Sequence, residues 1–380
     1  MSEQIFTNAK VVSPDSVFDG TVVVKDGLIA DVAPGRSRAT GSIDLEGDYL
    51  LPGLVEIHTD NLERNIAPRP RVRWPMLSAA LAHDSQIVSA GITTVFDALA
   101  VGTTREDNPL RLEILSDSIE TIAEAKRHGL LKADHLVHLR CEVTFPGVIE
   151  LFERFEDEPL VALVSLMDHT PGQRQFATLE SFKNYYREWR GYDDGQLEAL
   201  VLERQTDHAE HAARNRRRLS ERSLARRHHL ASHDDATHAH IEEAVSLGVT
   251  IAEFPTTVEA AEAARAAGLK TVAGAPNVVR GASHSGNISA SELARLGLLD
   301  GLSSDYMPVS LLHAAFVLNQ RLGVDLAQAV SIVSANPADM VGLTDRGRIA
   351  PGLRADLVRA AVYKDQPHAR QVWCAGVRIG

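Results

Sequence analysis

Histidines and carboxylates recur in this sequence at the ends of short apolar runs, in a pattern suited to holding a divalent ion. GLVEIH is followed by Thr59 and Asp60, so His58 and Asp60 stand two apart. Side chains i and i+2 of a strand share a face, so both could reach one ion. A lone His-x-Asp also fits an ordinary solvated strand end. In HLVHLRCE, His138, Arg140 and Glu142 share one side while Leu139 and Cys141 take the other, with Glu142 last. Later runs end in Asp168-His169, in Ser232-His233-Asp234-Asp235, at Glu253 and in Ser303-Ser304-Asp305. Taken singly, each reads as a loop residue. Together they end nearly every strand that would reach a common axis, which random placement does not readily produce. A mixed nitrogen and oxygen set of this kind suits Zn²⁺ or Mn²⁺, one ion or two. Such ions lower the pKa of water until hydroxide exists at neutral pH, while a nearby carboxylate accepts the proton. Asp305 is expected in that role, and as a further ligand.

A second group is basic. Pro68-Arg69-Pro70-Arg71-Val72-Arg73-Trp74-Pro75 places three arginines in what reads as a proline-stiffened extended segment. Proline reduces the entropy lost in holding them ready, and guanidinium suits bidentate phosphate binding. Thr170 to Gln175 adds Arg174. The stretch NVVRGASHSGN, from Asn277 to Asn287, offers Arg280, Ser283 and His284 in a glycine-containing loop able to cradle phosphate oxygens. The competing account of these arginines is a solvated loop with surface ion pairs.

These residues need elements to position them. From about 51 to 343, eight runs alternate with helical stretches: GLVEIH, TTVFDAL, HLVHLRCE, VALVSLMDH, HLASHDD, VTIAEFP, TVAGAPN and GLSSD. That alternation predicts parallel βαβ units closed into a TIM-like (β/α)8 barrel, with its chemistry at the C-terminal ends of the strands. VALVSLM is apolar on both faces, as a strand covered on both sides should be. Thr256 and Glu259 are spaced as a capping box for the helix ending at Gly268. The arginine-rich stretch from Asn215 to His229 is expected as the solvated face of a helix rather than a nucleic-acid patch. Residues 1–50 read as short strands and turns, and residues 344–380 return to that style. One small β-sandwich domain built from both termini is expected beside a barrel of 51–343.

Composition narrows the function classes. A net charge of −12 argues against broad nucleic-acid binding, so an anionic substrate must be met by a local basic cluster. No uninterrupted apolar stretch of membrane-spanning length appears, and MSEQIFTNAKVVSPDS does not resemble an export signal. Cys141 and Cys374, far apart, exclude a cysteine zinc cluster and suit a reducing cytoplasm. A homo-oligomer is left open.

LPGLVEIHTDN near the start and NPADMVGLTDRGRIAPGLRADLV near the end resemble the amidohydrolase superfamily. More narrowly, HTDNLERNIAPRPRVRWP, HDSQIVSAGITTVFDAL, LVSLMDHTPGQRQF, ASHDDATHAH, AEFPTT and GAPNVVRGASHSGN resemble the PhnM family of the carbon–phosphorus lyase pathway. The resemblance runs over essentially the whole chain. It implies a cytoplasmic, divalent-metal hydrolase converting α-D-ribose 1-methylphosphonate 5-triphosphate to the 5-phosphate and diphosphate. It also implies metal ligands at His58, Asp60, Glu142, His169, His233 and Asp305. Two departures stand out: His-x-Asp replaces the common His-x-His, and the histidine after the sixth strand is replaced by Glu253 or displaced onto the fourth. A triphosphate substrate explains arginines gathered in an acidic protein, with Arg69, Arg71, Arg140, Arg174 and Arg280 and the Ser283-His284 loop against its oxygens. Two other readings are a C–N bond amidohydrolase, such as a deacetylase or cyclic-amide hydrolase, and a metal-free scaffold. The first needs no arginine cluster, and the second usually loses the ligand residues retained here.

Overall fold

Eight apolar runs become eight parallel strands: Leu54–Thr59, Ile92–Val101, Asp134–Glu142, Val161–Met167, His229–His233, Ile251–Glu253, Lys270–Gly274 and Gly301–Ser303. The computed structural model describes residues 3–69, 72–102, 109–176, 178–281 and 287–380. The strands lie side by side in chain order, and helices follow them as in a (β/α)8 barrel. An isolated parallel bridge between Thr59 and Asp305 joins the edge strands, first to eighth, in a nearly closed barrel. All ten residues of Ile92–Val101 are buried, as expected where helices cover one face of a strand and packed side chains the other.

The chain forms two compact units: Met1–Asp97 with Glu120–Leu136 and Ala273–Gly380, and Ala98–Ile119 with Val137–Val272. In the first unit both termini enter one eight-stranded, mainly antiparallel sheet separate from the barrel. Glu3–Val12 pairs with Val17–Lys25, and the late strand Leu357–Tyr363 pairs antiparallel with the early strand Tyr49–Pro52. Their inward positions make a core of Phe6, Val11, Val22, Leu50, Leu357 and Trp373, with Phe6 and Trp373 edge to face at 4.8 Å. That core explains why residues more than three hundred positions apart share a sheet: neither end buries its apolar face alone.

Three local expectations need correction. The helix Val258–Ala266 is capped by Thr257, whose side chain accepts from Ala260 N, and not by Thr256. Thr256 instead donates from N to the Asp235 carbonyl at 2.8 Å. The arginine-rich stretch forms the helix Ala213–Ala225, but its face is not simply solvated: Arg216 is buried in ion pairs. Finally, Asn277 to Arg280 belong to the short helix Ala275–Arg280 rather than to a loop.

Candidate metal centre and anion site

In the first unit, the ends of strands one and eight are stitched together around a buried acid that sequence reasoning missed. Glu56 Oε1 accepts from His58 N at 2.7 Å, and its other oxygen accepts from Ser304 N at 2.6 Å. Burial pushes this carboxyl up to about 8 despite those bonds. The signal was available: Glu56, His58 and Asp60 alternate along one strand face. Asp305 N donates to the His58 carbonyl at 3.1 Å, while its own carbonyl accepts from Thr59 Oγ1 at 2.7 Å and Asp60 N at 3.2 Å. Its φ is +54°, a left-handed conformation aspartate tolerates better than most residues. Asp60 Oδ1 is buried with no hydrogen-bond partner among the described residues. An acceptor oxygen left this way calls for a cation or a donor.

The second unit brings Glu142, His169, His233, Asp234 and Glu253 together. Glu142 Oε2 lies 2.6 Å from His169 Nδ1, and Glu253 Oε2 lies 2.8 Å from His233 Nδ1. The His169 and His233 rings are 5.9 Å apart at 71°. Donor atoms of His169, His233 and Asp234 all lie within 4.8 Å of one another, close enough to share an ion. Asp234 directly follows the fifth strand and Phe254 the sixth, with φ of +56° and +55°. Left-handed backbone at successive strand ends is the kind of strain that clusters at functional sites. For His169, burial alone would lower the imidazole pKa, but the Glu142 carboxylate outweighs it and raises the value.

The arginines divide sharply. Arg140 is 9% exposed, and its Nε and Nη1 have no hydrogen-bond partner among the described residues. Arg174 is as deeply buried but bonded to Asp235 and Glu243. Arg69 and Arg280 are exposed. On either side of the arginine loop, Val72 N bonds Arg69 O at 3.1 Å and Trp74 N bonds Ile66 O. Arg71, Ser283 and His284 lie outside the described residues.

A separate buried network lies in the first unit. Asp97 takes His83 Nε2 at 2.6 Å and His135 Nδ1 at 2.8 Å, and His135 Nε2 lies 3.2 Å from Asp84. Burial alone would lower the His135 pKa, yet Asp97 and Asp84 together lift it to about 9. The folded value exceeds the unfolded one of about 6.5, so this stabilisation is complete below pH 6.5 and fades as pH rises through 9. Thermal melts between pH 6 and 10 should therefore fall toward the alkaline end, with a smaller fall in Asp97→Asn. Parallel pH profiles in the two proteins would remove this assignment.

With the geometry in place, comparisons with known proteins give the family. The amidohydrolase family model matches residues 49–379. The chain belongs to the amidohydrolase family. Among its relatives, an alpha-D-ribose 1-methylphosphonate 5-triphosphate diphosphatase of Escherichia coli (strain K12) is 48% identical over 377 residues, 99% of this chain and 100% of that protein. Two solved amidohydrolase-like structures share its fold at low identity. N-acetylglucosamine-6-phosphate deacetylase from Pasteurella multocida superposes with TM-score 0.64 at 12% identity, covering 100% of both chains. A putative prolidase from Bifidobacterium longum superposes with TM-score 0.66 at 15% identity, covering 100% of this chain and 94% of the other. For this amidohydrolase the nitrogen and oxygen donors at the strand ends and the orphaned Asp60 oxygen fit a divalent metal.

Proposed function

We propose that this amidohydrolase hydrolyses the 5-triphosphate of α-D-ribose 1-methylphosphonate 5-triphosphate, releasing diphosphate and α-D-ribose 1-methylphosphonate 5-phosphate. The carrying observation is Arg140, a buried guanidinium with two nitrogens lacking partners among the described residues, two residues before Glu142 on one strand. A buried cation in this state is costly unless an anion completes it. A C–N hydrolase needs a carbonyl at the metal and no such cation. The near full-length similarity to the E. coli diphosphatase supports the same substrate.

The ligands we assign are His58, Asp60, Glu142, His169, His233 and Asp305, with Zn²⁺ favoured and Mn²⁺ compatible, one ion or two. When bound, the metal polarises a phosphoryl oxygen and makes water acidic enough to react near neutral pH. Water attacks the α-phosphorus, the bridging α–β P–O bond breaks, and Asp305 takes the water proton. Arg140, with Arg69 and Arg280 nearer solvent, binds the phosphoryl oxygens and balances charge on the leaving diphosphate. Residues 51–343 form the catalytic domain in this proposal, with 1–50 and 344–380 supplying the β-domain. Unpaired Cys141 and Cys374 support a cytoplasmic role in phosphonate metabolism. No described helix is long and apolar enough to cross a membrane.

Turnover of the ribose triphosphate in ¹⁸O water tests the proposal. Label should appear in the ribose 5-phosphate product. Label in diphosphate would exclude attack at the α-phosphorus, and absence of any diphosphate would exclude the activity.

A further inference from the structure

Behind the two histidines of the second unit runs a continuous ladder of ion pairs. Arg216 Nη2 donates to Asp168 Oδ2 at 2.9 Å, and its Nη1 donates to Glu243 Oε1 at 2.8 Å. The other Glu243 oxygen accepts from Arg174 Nη2 at 3.1 Å, and Arg174 Nη1 donates to Asp235 Oδ1. The ladder begins one residue before His169 and ends two residues after His233. Arg174 also reaches the His233 carbonyl, at 3.4 Å. Asp168, Asp235, Arg174 and Arg216 are all buried, so their charges are compensated by one another rather than by water. Removing Glu243 would leave each arginine one carboxylate, Asp235 for Arg174 and Asp168 for Arg216, so the two strand ends would lose the bridge between them while their buried charges stay paired.

Backbone conformation and packing agree. Arg174 itself has φ of +40°, and Asp234 sits at +56° between the ladder and His233. Non-glycine residues persist there only where their surroundings hold them. Asn215, fully buried beside Arg216 on the same helix, donates to the carbonyls of Val143 at 3.0 Å and Phe145 at 3.2 Å, just past Glu142. The helices Ala213–Ala225 and His238–Ser246 thus tie down the ends of the third, fourth and fifth strands.

We infer that Glu243, Arg174 and Arg216 are positioning residues that set the separation of His169 and His233, and that Arg174 does not touch substrate phosphate. This rests on the metal reading above. It assigns Arg174 a different task from the phosphate-binding one its place in the sequence suggests. Charge-assisted bonds from both terminal nitrogens commit its guanidinium to carboxylates.

Glu243→Gln cuts the ladder at its half-exposed centre while keeping side-chain volume. Cobalt(II) loading provides a readout independent of turnover, because visible d–d bands report coordination geometry. In Glu243→Gln the Co²⁺ dissociation constant should rise on the order of tenfold, as for other residues supporting metal ligands. Its bands should shift, with circular dichroism and KM unchanged. Wild-type Co²⁺ affinity and spectrum in that variant would overturn the inference. So would an Arg174→Gln protein whose KM for the triphosphate rises while Co²⁺ binding stays the same. A wild-type protein that takes up no Co²⁺ would instead remove the metal reading, and this inference with it.

Discussion

Asp305→Asn should lower kcat by about a thousandfold, the middle of the range for losing a general base, with KM nearly unchanged. The substitution removes the carboxylate's basicity but keeps a side-chain oxygen that could still face an ion, and metal content measured beside kcat separates the two roles. Asparagine also tolerates the left-handed backbone at this position, and main-chain atoms of residue 305 make bonds to His58, Thr59 and Asp60 that the substitution leaves in place. The fold at the ends of strands one and eight should therefore survive, and circular dichroism should match wild type. Retention of more than a tenth of wild-type kcat would take the proton-accepting role away from Asp305. Comparison with Asp305→Ala then separates chemistry from folding, because alanine is poorly suited to positive φ and should also lower the melting temperature.

Arg140→Met should have two opposite effects. Each lost charge-assisted hydrogen bond to a phosphoryl oxygen removes about 1.5–3 kcal/mol. Two such bonds correspond to a fall in kcat/KM of about 10²–10⁴ for the triphosphate. The ligand-free protein should melt at the same temperature or higher, since a buried guanidinium with two nitrogens left without partners among the described residues gives way to an apolar side chain of similar length. This opposition separates a binding cation from a structural one. A lower melting temperature with kcat/KM within threefold of wild type would assign Arg140 to the fold and leave the polyanion reading without its main support.

Much of the architecture was legible because it depends on short-range pattern. Alternation along HLVHLRCE placed Arg140 and Glu142 on one side, and both lie where that pattern put them, Glu142 as the last residue of its strand. Runs such as VALVSLM, apolar on both faces, became strands whose residues are nearly all buried. The helix cap after the sixth strand slipped by one residue, because Thr256 and Thr257 are chemically equivalent and only packing chose between them. Asp97 was also passed over: in TTVFDAL nothing marks its carboxylate, and the two histidines that surround it come from distant segments.

The arginines show the limit most clearly. Residue type and loop position made Arg69, Arg71, Arg174 and Arg280 equal candidates for an anion. Tertiary structure committed Arg174 to Asp235 and Glu243, sixty-one and sixty-nine positions away, and left the strand residue Arg140 buried with two donors unpartnered among the described residues. Face and strand position follow from spacing along the chain, since the period of a strand is a local property. Which charge compensates which is decided where low dielectric makes each pairing strong and each omission costly, and those distances exist only after the chain has packed.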